Sequence, residues 1–340
     1  MIQIPECRDS ALAGTGSIYQ LEKKFKSLTG HSYSLAVCNA TQALFAIFLA
    51  LELKRVEFVT TPYTWPGSLA GAFLLENVPV FADIDPLTLT LDPLSVKQRL
   101  STETKAILAV DIYGNPCHAD ALKQIAQEAG VWLIMDCAQS FGAMYNGKQS
   151  GALADVAVFS LSPGKALFAG EGAVITTSHA EIYEKLVYWT QHPYRQRRDI
   201  PHEEANEFFL NMRIHPLAAE WAKNKFDAVL ESIQSRQKTL TTFDKILAQH
   251  LSIRNLINTN YLPSGSTYYN GSISKKHIQP IMNMMNDLSF RIEFCKPPLT
   301  QFIYEYSFFA KSSLNCNVSW QTNDNRSHIK NVLGITISEN

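Results

Sequence analysis

Several stretches of this chain place reactive side chains just beyond short apolar runs. In Met135-Asp136-Cys137-Ala138-Gln139-Ser140-Phe141-Gly142, the run Val131-Trp132-Leu133-Ile134-Met135 ends in a carboxylate. Ligands of open α/β sheets bind outside the carboxyl ends of the strands, so Asp136 is expected to point into a crevice. In Val158-Phe159-Ser160-Leu161-Ser162-Pro163-Gly164-Lys165, a second run ends at Ser160, and a Pro-Gly turn presents Lys165 at the same edge. A lysine that is partly desolvated and near other cations has a lowered pKa, which suits it to Schiff-base chemistry. In Val37-Cys38-Asn39-Ala40-Thr41-Gln42-Ala43-Leu44, a strand enters a helix through small and polar residues. The first free N–H groups of that helix, with its dipole, form an anion site fit for phosphate, and Thr41 adds a hydroxyl. Thr61-Pro62-Tyr63-Thr64-Trp65 sets an aromatic at a strand end, where it can cover a flat ring.

Taken singly, each stretch has an ordinary reading. Asp136 suits a helix cap or a turn, Lys165 a solvated surface, Asn39–Thr41 a plain N-cap, and Trp65 the core. Their order along the chain carries more. Phosphate cup, aromatic, carboxylate, hydroxyl and lysine follow one another, each at a strand end. A phosphorylated pyridine cofactor needs this set: a carboxylate to keep the ring nitrogen protonated, an anion hole, an aromatic cover and a lysine for the covalent link.

The elements that must position these residues are legible as alternation. Short apolar runs fall at 34–38, 57–60, 78–82, 106–110, 131–135, 156–160 and 173–177, with amphipathic helical stretches at 41–53, 65–75, 119–129 and 181–189 between them. Strands that alternate with helices predict βαβ units and a mostly parallel seven-stranded sheet. From about Pro216 the pattern changes to a long helical run over 217–236. A Ser/Gly/Tyr-rich segment at 264–274, a helical stretch at 275–288 and the segment 290–295 follow. The reading is a large α/β domain over 1–225 and a smaller α+β domain over 226–340.

Composition narrows the function classes. The chain has 340 residues, 46% hydrophobic and 18% charged, with a net charge of −1. No global field draws in nucleic acid or anionic lipid. The opening MIQIPECRDS lacks a basic region followed by an apolar one, and no apolar run is long enough to span a bilayer, so a cytoplasmic protein is expected. The six cysteines form no CxxC pair and no zinc spacing with histidine, which predicts reduced thiols and no metal site.

The motifs together resemble the DegT/DnrJ/EryC1/StrS family of fold-type-I pyridoxal-phosphate enzymes, best known as sugar aminotransferases. The resemblance rests on Asn39-Ala40-Thr41-Gln42-Ala43-Leu44, Pro62-Tyr63-Thr64-Trp65, Val78-Pro79-Val80-Phe81-Ala82-Asp83, Lys105-Ala106-Ile107 and Tyr113-Gly114. It continues through Asp136-Cys137-Ala138-Gln139, Phe159-Ser160 to Lys165, Gly170-Glu171-Gly172-Ala173, and Phe209-Leu210-Asn211-Met212-Arg213 with Ala218-Ala219. It implies a three-layer fold and pyridoxal 5′-phosphate as cofactor. Lys165 would be the lysine bonded to the cofactor and Asp136 the partner of its ring nitrogen. Gln139 would contact the phenolic oxygen, Ala40, Thr41 and Ser160 would hold the phosphate, and Trp65 would stack on the ring. It also implies a homodimer with the active site at the interface, Asn211 reaching the phosphate of the neighbouring subunit.

The sequence departs from the family in places. Asn39-Ala40 stands where Ser-Gly is usual, and Asp111 where histidine is common, so an extra carboxylate could alter the charge preference for substrate. Pro297-Pro298-Leu299 is followed by Thr300 rather than histidine, and the usual final strand signal is missing near Val318. Arg195, Arg197 and Arg198 cluster in one segment, and guanidinium groups there, with Arg213, could take a sugar diphosphate or a donor carboxylate. A solvated loop is the competing reading of that cluster. The leading functional expectation is an aminotransferase moving an amino group from glutamate or glutamine to a keto group, with a nucleotide-linked sugar as the expected acceptor. Relatives that dehydrate sugars replace the lysine with histidine, so Lys165 argues against that branch. The alternatives are elimination, racemisation or condensation on an amino acid, and a non-catalytic regulatory homologue.

Overall fold

In the computed structural model of the chain, the described residues are 11–201, 206–251, 253–258, 260–287, 290–295, 299 and 332–339. Pro297, Pro298, Thr300 and Val318, and with them the late motif and the missing strand signal, lie outside these residues. The main sheet has seven strands in the order β1-β9-β8-β5-β4-β2-β3. They are β1 (Tyr33–Val37), β2 (Glu57–Thr60), β3 (Val78–Phe81), β4 (Thr104–Val110), β5 (Trp132–Asp136), β8 (Val156–Ser160) and β9 (Ala173–Thr177). Pairing is parallel from β8 to β3, while β9 runs antiparallel to both β8 and β1. The sheet is therefore mostly parallel, as expected, and all strands except β9 end at one edge.

Side chains of successive strand residues point to opposite faces, and the two faces bury two separate clusters. Ala36, Val59, Ile107, Met135, Phe159 and Val174 face one side. That side is covered by α1 (Ser17–Thr29), α4 (Pro93–Arg99), α5 (Ala119–Ala129) and the start of α8 (Pro216–Leu251). Leu35, Phe58, Leu108, Ile134, Val158 and Ile175 face the other, under α2 (Ala40–Ala50), α3 (Gly67–Leu74) and α6 (Ala180–Thr190). The result is a three-layer α/β sandwich whose strands are apolar on both faces because both are covered.

A short helix, α7 (Pro193–Asp199), follows α6. The helical run expected to stop at 236 continues to Leu251, so the predicted boundary at 226 falls inside one 36-residue helix. Its apolar stripe serves two cores. Ala219, Ala222, Phe226 and Ile233 pack on the main sheet. Leu240, Phe243 and Leu247 join a second cluster with Tyr268, Ile273 and Ile281. That cluster also includes a three-stranded sheet of β11 (Tyr268–Ser274), β13 (Val332–Glu339) and β12 (Phe290–Cys295), and the helix α9 (Ile278–Asp287). A small sheet of β10 (Tyr261–Leu262), β6 (Met144–Tyr145) and β7 (Lys148–Gln149) stitches the late segment to the loop after β5.

The two parts meet at Tyr113-Gly114. The Ser264 N–H donates to the Gly114 carbonyl at 3.0 Å. A Cβ on Gly114, which sits at φ +86°, would lie 2.2 Å from the Gly265 nitrogen. Only glycine allows this backbone-to-backbone approach. Cys38, Cys117, Cys137 and Cys295 are free thiols, and among the described residues no His/Cys/Asp/Glu group could hold a metal and no helix is long and apolar enough to cross a membrane.

Candidate active site

Asp136 is the last residue of β5 and is 4% exposed. Its Oδ2 accepts a hydrogen bond from the Ser68 hydroxyl at 2.7 Å, and its Oδ1 accepts one from the Ala138 N–H at 3.0 Å. Ser68 is held in turn by the Thr64 hydroxyl at 2.8 Å. Burial pushes the Asp136 carboxyl above the usual carboxylate range, and the charge of Asp111 adds to the rise. The two hydrogen bonds and the charge of Lys165 act the other way. A desolvated carboxylate held in one orientation is suited to the N–H of a cationic heterocycle, whose charge offsets the lost solvent.

Lys165 ends a tight turn. Pro163 stands second, Gly164 third at φ +81°, and the Lys165 N–H donates to the Ser162 carbonyl at 3.2 Å. This is the residue order of a type II turn, in which only the third position demands positive φ. The side chain is half-buried. Burial pushes its amine below the ordinary lysine value of 10.5, and the charge of Asp136 opposes the fall. Asp136→Asn removes that opposition, so the amine should titrate lower still. In cofactor-free protein, the pH dependence of Lys165 modification by trinitrobenzenesulfonate, read by peptide mass spectrometry, should have its midpoint below 10.5. The midpoint should fall further in Asp136→Asn; a variant that titrates at or above the native protein contradicts this coupling.

The opposite end of the site is the start of α2. Asn39 caps the helix, its side-chain oxygen accepting from the Gln42 N–H at 2.9 Å. Helix geometry leaves the Ala40 and Thr41 N–H groups without an intrahelical acceptor, and they face the edge where Ser160 ends β8. A Cβ on Gly67, the first residue of α3, would come within 2.7 Å of the Thr41 hydroxyl, so position 67 must stay bare to keep this cup open. Trp65 is 62% exposed over the cavity, rather than packed in the core. The Gln139 side-chain oxygen accepts from the Tyr113 N–H at 2.9 Å, which leaves its NH₂ as the donor for a ligand.

One cavity of about 710 Å³ gathers these groups: Ala40, Thr41, Trp65, Asp136, Gln139, Ser160 and Lys165 all line it. Asn211 does not. It lies exposed at φ +52°, its side-chain oxygen accepting from the Arg213 Nε at 2.8 Å. Arg197, Arg198 and Arg213 also lie off the cavity, and Arg198 pairs with Asp199 beside it. The expectation for Arg195 is corrected. Its side chain is 1% exposed, forked onto Glu22 at 2.9 and 3.0 Å and bonded to Asp199 at 3.0 Å. It is a buried joint between α1 and α7, with no face left for a ligand.

Asp111 lines the same cavity, with its carboxylate held by the protein itself. It is 0% exposed; Oδ1 accepts from the Cys117 N–H at 2.8 Å, and Oδ2 from the Ser140 hydroxyl at 2.6 Å and from the Ser150 hydroxyl. Oδ1 thus holds the loop after β4, and Oδ2 the segment after β5. Sequence reasoning passed over Ser68, Tyr113 as the partner of Gln139, and Glu171, which accepts from the Ser162 hydroxyl at 2.7 Å at the rim. The spacing of Thr64 and Ser68, four residues apart on either side of Trp65, was the signal available for Ser68.

A profile of the DegT/DnrJ/EryC1/StrS aminotransferase family matches residues 6–329. The chain belongs to this family. It is 34% identical over 234 residues to the UDP-2-acetamido-2-deoxy-3-oxo-D-glucuronate aminotransferase of Pseudomonas aeruginosa, covering 68% of this chain and 64% of that protein. It is 38% identical over 173 residues to the dTDP-3-amino-3,6-dideoxy-alpha-D-galactopyranose transaminase of Aneurinibacillus thermoaerophilus, covering 50% and 48%. The chain thus spans less than two thirds of the length of these relatives. Among solved structures, the aminotransferase from Psychrobacter cryohalolentis superposes with a TM-score of 0.74 at 21% identity, over 94% of this chain and 85% of that one. A GDP-4-keto-6-deoxy-D-mannose-3-dehydratase from E. coli gives a TM-score of 0.73 at 20% identity, over 96% and 88%. The fold is that of the DegT/DnrJ/EryC1/StrS proteins, and it is shared by members of different reaction types.

The cofactor of the DegT/DnrJ/EryC1/StrS family is pyridoxal 5′-phosphate, and the residues present fit it. A buried carboxylate, free helix N–H groups, an exposed indole and a half-buried lysine line a single cavity.

Proposed function

We propose that the protein is a pyridoxal-phosphate-dependent aminotransferase that moves an amino group from glutamate or glutamine to the keto group of a nucleotide-linked sugar. The observation that carries this reading is the convergence of Asp136, Lys165 and the open N-terminus of α2 in one cavity. The two curated relatives described above are named for this reaction class, which supports the same reading. When bound, pyridoxal phosphate supplies an electron sink. Asp136 would hold a proton at the ring nitrogen. Ala40, Thr41 and Ser160 would bind the phosphate, and the Gln139 NH₂ would donate to the phenolic oxygen. Trp65 would cover one ring face and exclude water from it. The Lys165 amine, whose pKa burial lowers, would take the proton from the donor's α-carbon.

The reading extends to a homodimer in the cytoplasm. Phe208 is 89% exposed, and Phe168, Leu210 and Trp221 are exposed too, a set of apolar surfaces that a second subunit would cover. Asn211 follows Leu210 in the chain, off its own cavity, and would reach the phosphate of a neighbouring protomer.

The test is an absorbance spectrum of the protein loaded with pyridoxal phosphate, followed on adding L-glutamate and then L-glutamine, with the keto acid assayed. One donor should bleach the visible cofactor band and release its keto acid in equal amount. A band that neither donor alters would move the protein to another pyridoxal-phosphate reaction. No band at all would refute the cofactor assignment.

A further inference from the structure

A carboxamide has two ends of nearly equal shape and opposite kind, one accepting and one donating hydrogen bonds. In Gln139 the bond that selects between them runs from the Tyr113 N–H to the side-chain oxygen at 2.9 Å. The donor of that bond sits in a costly conformation. Tyr113 has φ +56°, where bulky residues are rare, and such a backbone persists only when its surroundings over-determine it. The far end of Tyr113 is held by the Tyr63 hydroxyl, 2.8 Å from its own. The near end is held by Asp111. This residue extends the pairing of β4 with β5, its N–H donating to the Asp136 carbonyl at 3.0 Å. Its carboxylate then reaches in two directions. Oδ1 accepts from the Cys117 N–H at 2.8 Å and so closes the loop 111–117 around Tyr113. Oδ2 accepts from the hydroxyls of Ser140, the residue after Gln139, and of Ser150. One side chain thereby fixes both the loop that supplies the N–H and the backbone beside the glutamine that receives it.

Resting on the placement of Gln139 at the phenolic oxygen of pyridoxal phosphate, we propose that Asp111 is a positioning residue that keeps the Gln139 NH₂ turned toward that oxygen. Without the Asp111 carboxylate the loop 111–117 loses its closing bond, and Tyr113 can relax to negative φ. That change turns its N–H away from Gln139. The carboxamide is then free to rotate and to set its oxygen against the phenolic oxygen, acceptor against acceptor. The phenolic oxygen itself reports the difference. A donor draws electron density off it, so it competes less for the proton on the nitrogen that joins Lys165 to the cofactor. Loss of the donor holds that proton more firmly and raises the pH at which the visible cofactor band titrates. Loss of a nearby negative charge acts in the opposite direction, because it disfavours the protonated nitrogen. The sign of the shift therefore separates positioning from charge.

The test is a pH titration of the visible absorbance of the cofactor-loaded protein. It uses no amino donor, so its outcome does not depend on which reaction the enzyme runs. Gln139→Leu sets the scale, with a rise in midpoint of about one pH unit expected. Asp111→Ala should raise the midpoint in the same direction, and adding it to Gln139→Leu should raise it no further than Gln139→Leu alone. Asp111→Asn loses the charge but keeps an oxygen for the Cys117 N–H and an NH₂ for the serine oxygens. Its midpoint should stand at or below the native one, well under that of Asp111→Ala. An Asp111→Ala midpoint no higher than that of Asp111→Asn would reduce Asp111 to a charge and overturn the proposal. A rise that adds in full to that of Gln139→Leu would show a route other than Gln139 and overturn it as well. If Asp111→Ala does not fold by circular dichroism, Ser140→Ala, which cuts the Oδ2 anchor, takes its place. A rise of the same sign is expected there, and an unmoved midpoint overturns the proposal. An unmoved midpoint in Gln139→Leu would remove the Gln139 contact itself and the role of Asp111 with it. A raised one beside an unmoved Asp111→Ala removes the role of Asp111 alone.

Discussion

Replacing Lys165 by alanine is expected to lower the rate of keto-acid release from the amino donor by about 10²–10⁴-fold. The half-buried amine lines the cofactor cavity together with Asp136 and Gln139. Among the described residues it is the one lysine lining that cavity, so no second amine there can take its place. Single-turnover measurement at saturating donor isolates the chemical step. Added methylamine should restore part of the rate, because a small amine fits the space the side chain leaves. A variant that keeps the native rate, or one that loses affinity for the donor but not rate, would show that Lys165 handles no proton.

The second large effect concerns stability. Arg195→Ala should cost about 3–5 kcal/mol, because it strands the 4%-exposed Glu22 carboxylate in the core without its counter-ion. The pair joins three elements: Glu22 on α1 also accepts the Ala36 N–H of β1 at 2.7 Å, and Arg195 on α7 reaches Asp199 as well. Equilibrium unfolding in urea measures the loss. Glu22→Gln combined with Arg195→Met should lose less than Arg195→Ala alone, since no net charge is left uncompensated at position 22 and the amide can still accept from Ala36. A loss below about 1 kcal/mol in Arg195→Ala would mean that solvent reaches Glu22 in solution.

The sheet was legible because its strands are buried on both faces and punctuated at their ends, so the runs at 57–60, 156–160 and 173–177 coincide with β2, β8 and β9. The cofactor cavity was legible for the same reason: parallel strands bring their carboxyl ends to one edge, where Asp136 and Ser160 end strands and Trp65 follows one. Arg195 was misplaced because its partner Glu22 lies 173 positions away on another helix, a distance across which local composition carries no signal. Its neighbours Arg197 and Arg198 are exposed, so one segment mixes a core residue with two surface ones. Asp111 was expected near the site and does line the cavity, whereas its serine partners, 29 and 39 positions away, left no local signal.

The continuity of α8 has a mechanical consequence. Thirty-six residues at about 1.5 Å each make a rod of roughly 54 Å, clamped at one end by the main sheet and at the other by the second cluster. A rod set in two bodies transmits torque instead of absorbing it, unlike a loop whose dihedrals swing freely. Opening the cleft by turning the late segment would therefore bend the rod or part the Gly114–Gly265 contact. Traffic of amino donor and keto acceptor would then pass through a mouth of nearly fixed width, with selection made by the lining of the walls rather than by the closing of a jaw.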